Sequence, residues 1–261
     1  MTETKKAPVI EMLNVSVGTL RDTSFIVLED VNWSAIPGDF WVVAGQQHSG
    51  KSDFLMVAAG LMAPAKGNCN LFGMATDALD ETKLTERLRV GFVFEGGQLF
   101  NHLTIRENTA LPLQYHRNLT QQEAAREVET LLEILELTPL ADITPLNVSD
   151  NWRQRAALAR ALALKPEVLL LDNPLSRLGT GHLRWWLHFL NRLSQGHDWL
   201  SRRPMTMIVT ADDLRPWRHE NRKFALLRDG KFFSIGFWND VESANDPIIK
   251  ELLAEPVELA S

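Results

Sequence analysis

Gly45-Gln46-Gln47-His48-Ser49-Gly50-Lys51-Ser52 follows the pattern G-x-x-x-x-G-K-[ST] without a gap. A turn of this kind points backbone amides and a helix N-terminus at an anion together. Lys51 would reach the outer phosphates of a nucleotide, and the Ser52 hydroxyl would ligate Mg²⁺. Further on, Leu169-Leu170-Leu171-Asp172 is an apolar run ending in a carboxylate, which could hold the same ion through water. The plain alternatives are a chance Gly-Lys-Ser turn and an aspartate that merely ends a strand. The two motifs together, each in its proper context, favour phosphate binding. His48 reads as a loop-filling histidine rather than a catalytic one.

These residues need a strand before the glycines and a helix after them. Phe40 to Ala44 is a short apolar run bounded by Gly38 and Gly45, as a strand buried on both faces would be. A helix pattern runs from Gly50 to about Leu61 and ends before Pro64 and Gly67. Strands are predicted at Val9–Val17, Ile26–Ile36, Arg89–Phe94, Val168–Asp172 and Met205–Thr210. Phe224–Leu227 and Phe232–Ile235 read as a hairpin turning at Asp229-Gly230. Thr120 with Glu123 forms a capping box ahead of Ala124, Val128, Leu131, Leu132 and Leu135, which share one helix face. A second helix is predicted from Asn151 to Leu164. The pattern is a strand-and-helix core interrupted by a helical insert from about Gln98 to Trp152, with no internal repeat.

Composition narrows the class. The chain has 261 residues, of which 45% are hydrophobic and 23% charged, an ordinary globular balance. The single cysteine, Cys69, rules out an internal disulfide and any multi-cysteine metal site. Lys plus Arg number 27 against 33 acids, a formal charge of −6, which is no footprint for binding nucleic acid. Basic stretches at Arg202-Arg203 and Arg215-Pro216-Trp217-Arg218, with Trp185, Trp186 and Phe189 on one helix, therefore read as solvated charge beside core or interface rings. Met1 to Val9 carries Lys5 and Lys6 with no apolar stretch after it, so no signal peptide or membrane span is expected.

With these residues in view, the sequence resembles the ATP-binding subunits of ABC transporters over nearly the whole chain. Besides the phosphate loop, the likeness is carried by Phe92-Val93-Phe94-Glu95 at the Q-loop position and Val148-Ser149-Asp150-Asn151-Trp152 at the signature position. Arg155 to Leu162 then runs ungapped to Asp172. A narrower likeness, to the ATPases of Mla-type phospholipid transporters that work with MCE proteins, rests on Phe94 to Phe100, Glu107-Asn108, Leu111-Pro112-Leu113 and the tail Asp229 to Pro247. The resemblance implies an α/β fold, a P-loop NTPase (ABC ATPase) core with an inserted helical subdomain. The core would take residues 1–97 and 153–240, the helical subdomain 98–152, and a C-terminal tail 241–261. It also implies ATP and Mg²⁺ as ligands, with Ser52, Asp172 and Glu95 facing the metal.

The departures from the family pattern fall on the groups that act on the γ-phosphate and water. The glutamate expected after Asp172 is Asn173, whose amide cannot take up a proton. The switch histidine falls on Asp212 of Thr210-Ala211-Asp212-Asp213-Leu214, and the Q-loop glutamine is Glu95. The D-loop aspartate position is Gly179. Asp53 follows Ser52 and would bring negative charge close to the phosphates. The signature keeps Ser149 but has Asp150 and Asn151 where two glycines are usual. Relaxed selection on a redundant paralogue is the plain alternative to a coherent loss of hydrolysis. The adenine platform falls on Thr19 and Leu20, and Phe25 reads either as a core residue or as a ring stacked on the base. Within the insert, Leu99, Phe100, Leu103, Leu111 and Leu113 could meet a membrane subunit or pack inside the lobe.

The reading that follows is an ATP-binding subunit of an ABC transporter, lipid-related, peripheral on the cytoplasmic face of the cell membrane. It would bind Mg-ATP with weak or no hydrolysis. Its partners would be a membrane permease and a second, intact ATPase, a homodimer being the other arrangement, and Ser149 would contact the nucleotide held by that second subunit. The alternative is a pseudo-ATPase acting as a regulator or scaffold without a transporter.

Overall fold

The computed structural model describes residues 6–76, 84–176 and 178–254. The start of the chain, with Lys5, and the end of the expected tail fall outside them. In chain order the elements are β1 (Ile10–Gly18), β2 (Ile26–Ala35), β3 (Phe40–Gly45), α1 (Lys51–Ala58), β4 (Lys66–Leu71), β5 (Met74–Ala75), α2 (Leu84–Arg87), β6 (Val90–Val93) and α3 (Ile105–Arg117). There follow α4 (Gln121–Ile134), α5 (Asp150–Leu162), β7 (Val168–Leu171), α6 (Thr180–Gln195), β8 (Thr206–Ala211), β9 (Lys223–Arg228), β10 (Lys231–Gly236), α7 (Trp238–Ser243) and α8 (Pro247–Leu253). The chain divides into two compact units, Met1–Thr76 with Ile208–Ser261, and Asp77–Met207.

In the first unit β1, β2, β4 and β5 form an antiparallel sheet in the order β2-β1-β4-β5. β3 lies parallel to β9, with Trp41 opposite Lys223 and Gly45 opposite Leu227, and β9 pairs antiparallel with β10. All six residues of β3 are buried, as the continuous apolar run predicts. The β9–β10 turn is the expected Asp229-Gly230, both at positive φ, as a tight hairpin needs. Phe54 of α1 packs between Trp33 of β2 and Phe232 of β10, at ring distances of 5.3 and 5.4 Å. That cluster fixes the helix that starts at Lys51. Cys69 is buried, and its desolvated thiol is pushed up to about 12.

In the second unit β6 and β7 pair in parallel, Val90 opposite Val168 and Val93 opposite Leu171. The capping box at Thr120 and Glu123 is present, with both reciprocal bonds made. Within the expected helical insert, α3 has its own capping box, Thr104 with Glu107, and carries Pro112 in its interior. Asn108, fully buried, organises the loop before it: its Oδ1 accepts from Phe100 N, and its Nδ2 donates to the carbonyls of Phe100, Leu103 and Thr104. Leu113 is buried, whereas Phe100 is about half exposed. The two alternatives for the insert thus divide residue by residue.

No helix among the described residues is long and apolar enough to cross a membrane. The basic stretches meet carboxylates: Arg202 with Asp198, Arg203 with Glu167, Arg215 with Asp213 and Arg218 with Glu242. Trp186 and Trp217 are core residues.

Candidate functional site

The phosphate loop leaves β3 at Gly45 and enters α1 at Lys51. Two of its glycines are required by space and backbone. A Cβ at Gly45 would lie 2.4 Å from Ser49 Oγ, and one at Gly50 would press on Val27 while φ is +87°. Gln46, Gln47, His48 and Ser52 are exposed, and His48 has φ +63°. Lys51 Nζ donates to the Gly45 carbonyl at 2.6 Å and to the Gln46 carbonyl at 2.7 Å, which folds the ammonium over the loop. Ser49 N also donates to the Gln46 carbonyl. Ser49 Oγ is buried without a hydrogen-bond partner. A side-chain-free cradle, an orphaned hydroxyl and a helix N-terminus suit a polyphosphate. Among the described residues no group of three or more His, Cys, Asp or Glu forms a metal cluster. Mg²⁺ is ordinarily held by one or two protein groups plus phosphate oxygens, and the exposed Ser52 hydroxyl at the start of α1 is a group of that kind.

Asp53 has a use that spacing alone does not reveal. Its Oδ1 accepts from Leu20 N at 3.0 Å, which ties the β1–β2 turn to the first turn of α1. The charge expected near the phosphates is thus engaged with that turn. Phe25, in the same turn, is 65% exposed, so the core reading of this ring is wrong. A residue between two strands in a tight turn has little to pack against.

In the second unit Asp172 and Asn173 follow β7, and Glu95 follows β6. Asp172 is buried, and its N–H donates to the Val93 carbonyl at 2.8 Å. Since Val93 is opposite Leu171, the register carries Glu95 to the level of Asn173. Asn173, at φ +45°, donates from Nδ2 to Glu95 Oε1 at 3.2 Å. Two of the departures from the family pattern therefore touch each other. Ligand sites of parallel sheets lie at this carboxyl end of the strands. Gly179 is the N-cap of α6, and a Cβ there would meet nothing within 4 Å. Lack of room does not explain the missing aspartate. Asp212, in the first unit, is exposed, while its neighbour Asp213 holds Arg215.

Ser149 is the N-cap of α5, yet its hydroxyl makes no capping bond. Its carbonyl takes the ordinary first bonds of the helix, accepting from Trp152 N and Arg153 N at 3.0 Å each. The exposed hydroxyl is left for something else. Asp150 is paired with Arg153, which offsets the charge next to Ser149.

Sequence reasoning missed two arginines of α5. Arg160 Nη2 donates to the carbonyls of Gly97 and Gln98, so α5 holds the turn that follows Glu95, and burial lowers its pKa. Arg155 is buried between rings, its guanidinium 3.6 Å from the Trp185 ring centre and 4.5 Å from that of Trp152, with a 2.8 Å bond to Glu136. Burial lowers its pKa, and Glu136 partly opposes this. The available signal was two cations inside an otherwise apolar helix run. Arg155→Met should lower unfolding stability by about 2 kcal/mol, the scale of a desolvated cation–π contact. Arg155→Lys should recover little of it, because the planar fork is lost. Urea titration reads both, and a Met variant as stable as the parent would refute the clamp.

A family model described as ABC transporter matches residues 28–176. The sulfate/thiosulfate import ATP-binding protein CysA of Synechococcus elongatus is 42% identical over 86% of this chain and 62% of its own length. The probable counterpart of Chlorella vulgaris is 36% identical over 83% of this chain and 87% of its own. Against CysA of Bradyrhizobium diazoefficiens the figures are 34%, 90% and 67%. The chain thus spans about two thirds of the length of several curated relatives it matches. Among solved structures, the dimeric post-hydrolysis ATP-binding cassette MJ0796 bound to ADP and Pi superposes with a TM-score of 0.74 at 28% identity, covering 85% of this chain and 95% of that one. These relatives carry a sulfate/thiosulfate name, not that of an Mla-type phospholipid transporter, so the narrower likeness is corrected. Its short stretches are outweighed by identity spread over 227 residues.

Proposed function

The chain belongs to the ABC transporter ATP-binding family, and on that premise we propose that it is a nucleotide-binding subunit that holds Mg-ATP at Gly45–Ser52 with weak hydrolysis of its own. The observation that carries the binding half is the cradle: glycines where a Cβ would collide, an orphaned Ser49 hydroxyl and Lys51 folded on loop carbonyls. On binding, Lys51 would exchange the Gly45 and Gln46 carbonyls for phosphate oxygens, the loop amides would take the remaining charge, and the Ser52 hydroxyl would be a ligand to the metal; Asp172 is the carboxylate that the family pattern assigns to the same ion. The hydrolysis half rests on Asn173, whose amide donates to Glu95 and accepts no proton from water.

The partners we propose are a membrane permease at the cytoplasmic face and a second, intact ATPase. The relatives' names favour import of a small oxyanion such as sulfate over a lipid cargo. Ser149 would face the partner's nucleotide, since its hydroxyl is exposed and α5 begins there.

The test is a tagged chain recovered from its native membrane with its partners. In that complex Ser149→Ala should cut ATP hydrolysis roughly tenfold, the scale of one charge-assisted hydrogen bond. The melting temperature should stay put, because the side chain caps nothing. An unchanged rate would remove Ser149 from the partner's site. Recovery without any permease or ATPase would favour the scaffold reading.

A further inference from the structure

The chain's last described helix reaches the phosphate loop. α8 is anchored at its start by Asp246, whose Oδ1 accepts from Ile248 N and Ile249 N while its Oδ2 pairs with Arg228 of β9. Ile249 and Leu252 are buried, so the helix is seated by an apolar face. From this seat Glu251 Oε2 accepts from Gln46 Nε2 at 2.7 Å. The next residue, Leu252, accepts through its carbonyl from Leu214 N at 3.0 Å, two residues beyond Asp212. One turn of helix thus grips the phosphate loop and the segment after β8, both within the first unit.

Gln46 is the hub of this arrangement. Its carbonyl accepts from Lys51 Nζ and from Ser49 N, and its side chain is held by Glu251. A phosphate entering the loop must draw Lys51 away from that carbonyl. Glu251 opposes the change in two ways: it fixes Gln46, and it adds a carboxylate beside a site for an anion.

We propose that α8 is an inhibitory latch on the phosphate loop, with Glu251 as its tooth, so that seating of the helix and binding of a nucleoside triphosphate oppose each other. The coupling is reciprocal: whatever draws α8 off, such as a partner acting on the chain beyond it, tightens nucleotide binding, and nucleotide loosens α8. The proposal rests on the reading of Gly45–Ser52 as a nucleotide site.

The experiment is MgATP titration by calorimetry on the full chain, with amide hydrogen exchange over Lys250–Leu253. Glu251→Ala should tighten MgATP three- to tenfold, roughly the worth of one hydrogen bond and a neighbouring charge. Glu251→Gln, which keeps an acceptor but not the charge, should fall between. Exchange of the α8 amides should rise in Glu251→Ala without nucleotide, and in the parent when MgATP is added. Equal affinities in all three chains overturn the latch and leave the nucleotide site standing. Absence of MgATP binding in every chain overturns both. Tightened binding with unchanged α8 exchange overturns the helix movement, because only the charge would then be acting.

Discussion

The purified chain is expected to bind MgATP yet hydrolyse it at least about 10³-fold below ordinary enzyme turnover. The family pattern puts at Asn173 and Asp212 two groups that would act on the attacking water and the γ-phosphate, and each such contact contributes about 10²-fold or more. Asn173 has no proton-accepting oxygen anion, and its amide hydrogen is directed at Glu95. Asp212 brings a carboxylate where the family pattern has a cation-forming ring. Binding draws on different residues. The loop amides, Lys51 and Ser52 are all in place, and Asp53 is engaged with Leu20 rather than aimed at the loop. Lys51→Ala should therefore abolish MgATP binding in calorimetry while hardly altering the already low steady-state rate. Turnover in the usual enzyme range that disappears in Lys51→Ala would show that the chain is a working ATPase, and the assignment of loss to Asn173 and Asp212 would be wrong.

The second large effect concerns the Glu95–Asn173 pair. Asn173→Glu alone should raise hydrolysis by no more than a fewfold. The new carboxylate would stand where an amide now meets Glu95 at 3.2 Å, and two carboxylates that close do not both ionise. Asn173→Glu with Glu95→Gln restores a donor–acceptor pair in the opposite sense, with the charge on residue 173. That double variant should gain about 10²-fold over the parent, the usual worth of a general base. Adding Asp212→His restores the family's residue at a further position, and the resemblance implies a gain beyond the product of the separate ones, since catalytic groups of one reaction are not additive. Single-turnover hydrolysis measures the series. A single Asn173→Glu variant with full activity would mean that neither Glu95 nor Asp212 limits the reaction.

Much of this was open to reading in the chain itself, for local reasons. The phosphate loop is a run of neighbours whose glycines are needed by contacts inside the run or with the strand beside it, so eight letters suffice to find it. β3 and β7 are buried on both faces, which forces an uninterrupted apolar stretch. The Thr120–Glu123 box and the Asp229-Gly230 turn are likewise complete within a few residues. α3 carries the same kind of local signal, a Thr104–Glu107 capping box, inside the stretch read only as a helical insert.

Tertiary structure decided the meaning of individual side chains, because a hydrogen bond between residues far apart leaves no trace in either neighbourhood. Asp53 is a threat to a phosphate by spacing and a tie to Leu20, 33 residues away, in space. Asn173 and Glu95 are two separate departures on paper and one bonded pair across adjacent parallel strands. Ser149 has the residue type and position of a helix cap, but its hydroxyl makes no capping bond. Glu251 is one more exposed acid of a short helix until the fold brings it 2.7 Å from Gln46, 205 residues earlier in the chain. Sequence patterns record which elements form, since burial repeats along a helix or strand. Which partner each polar group finds is set only when those elements pack.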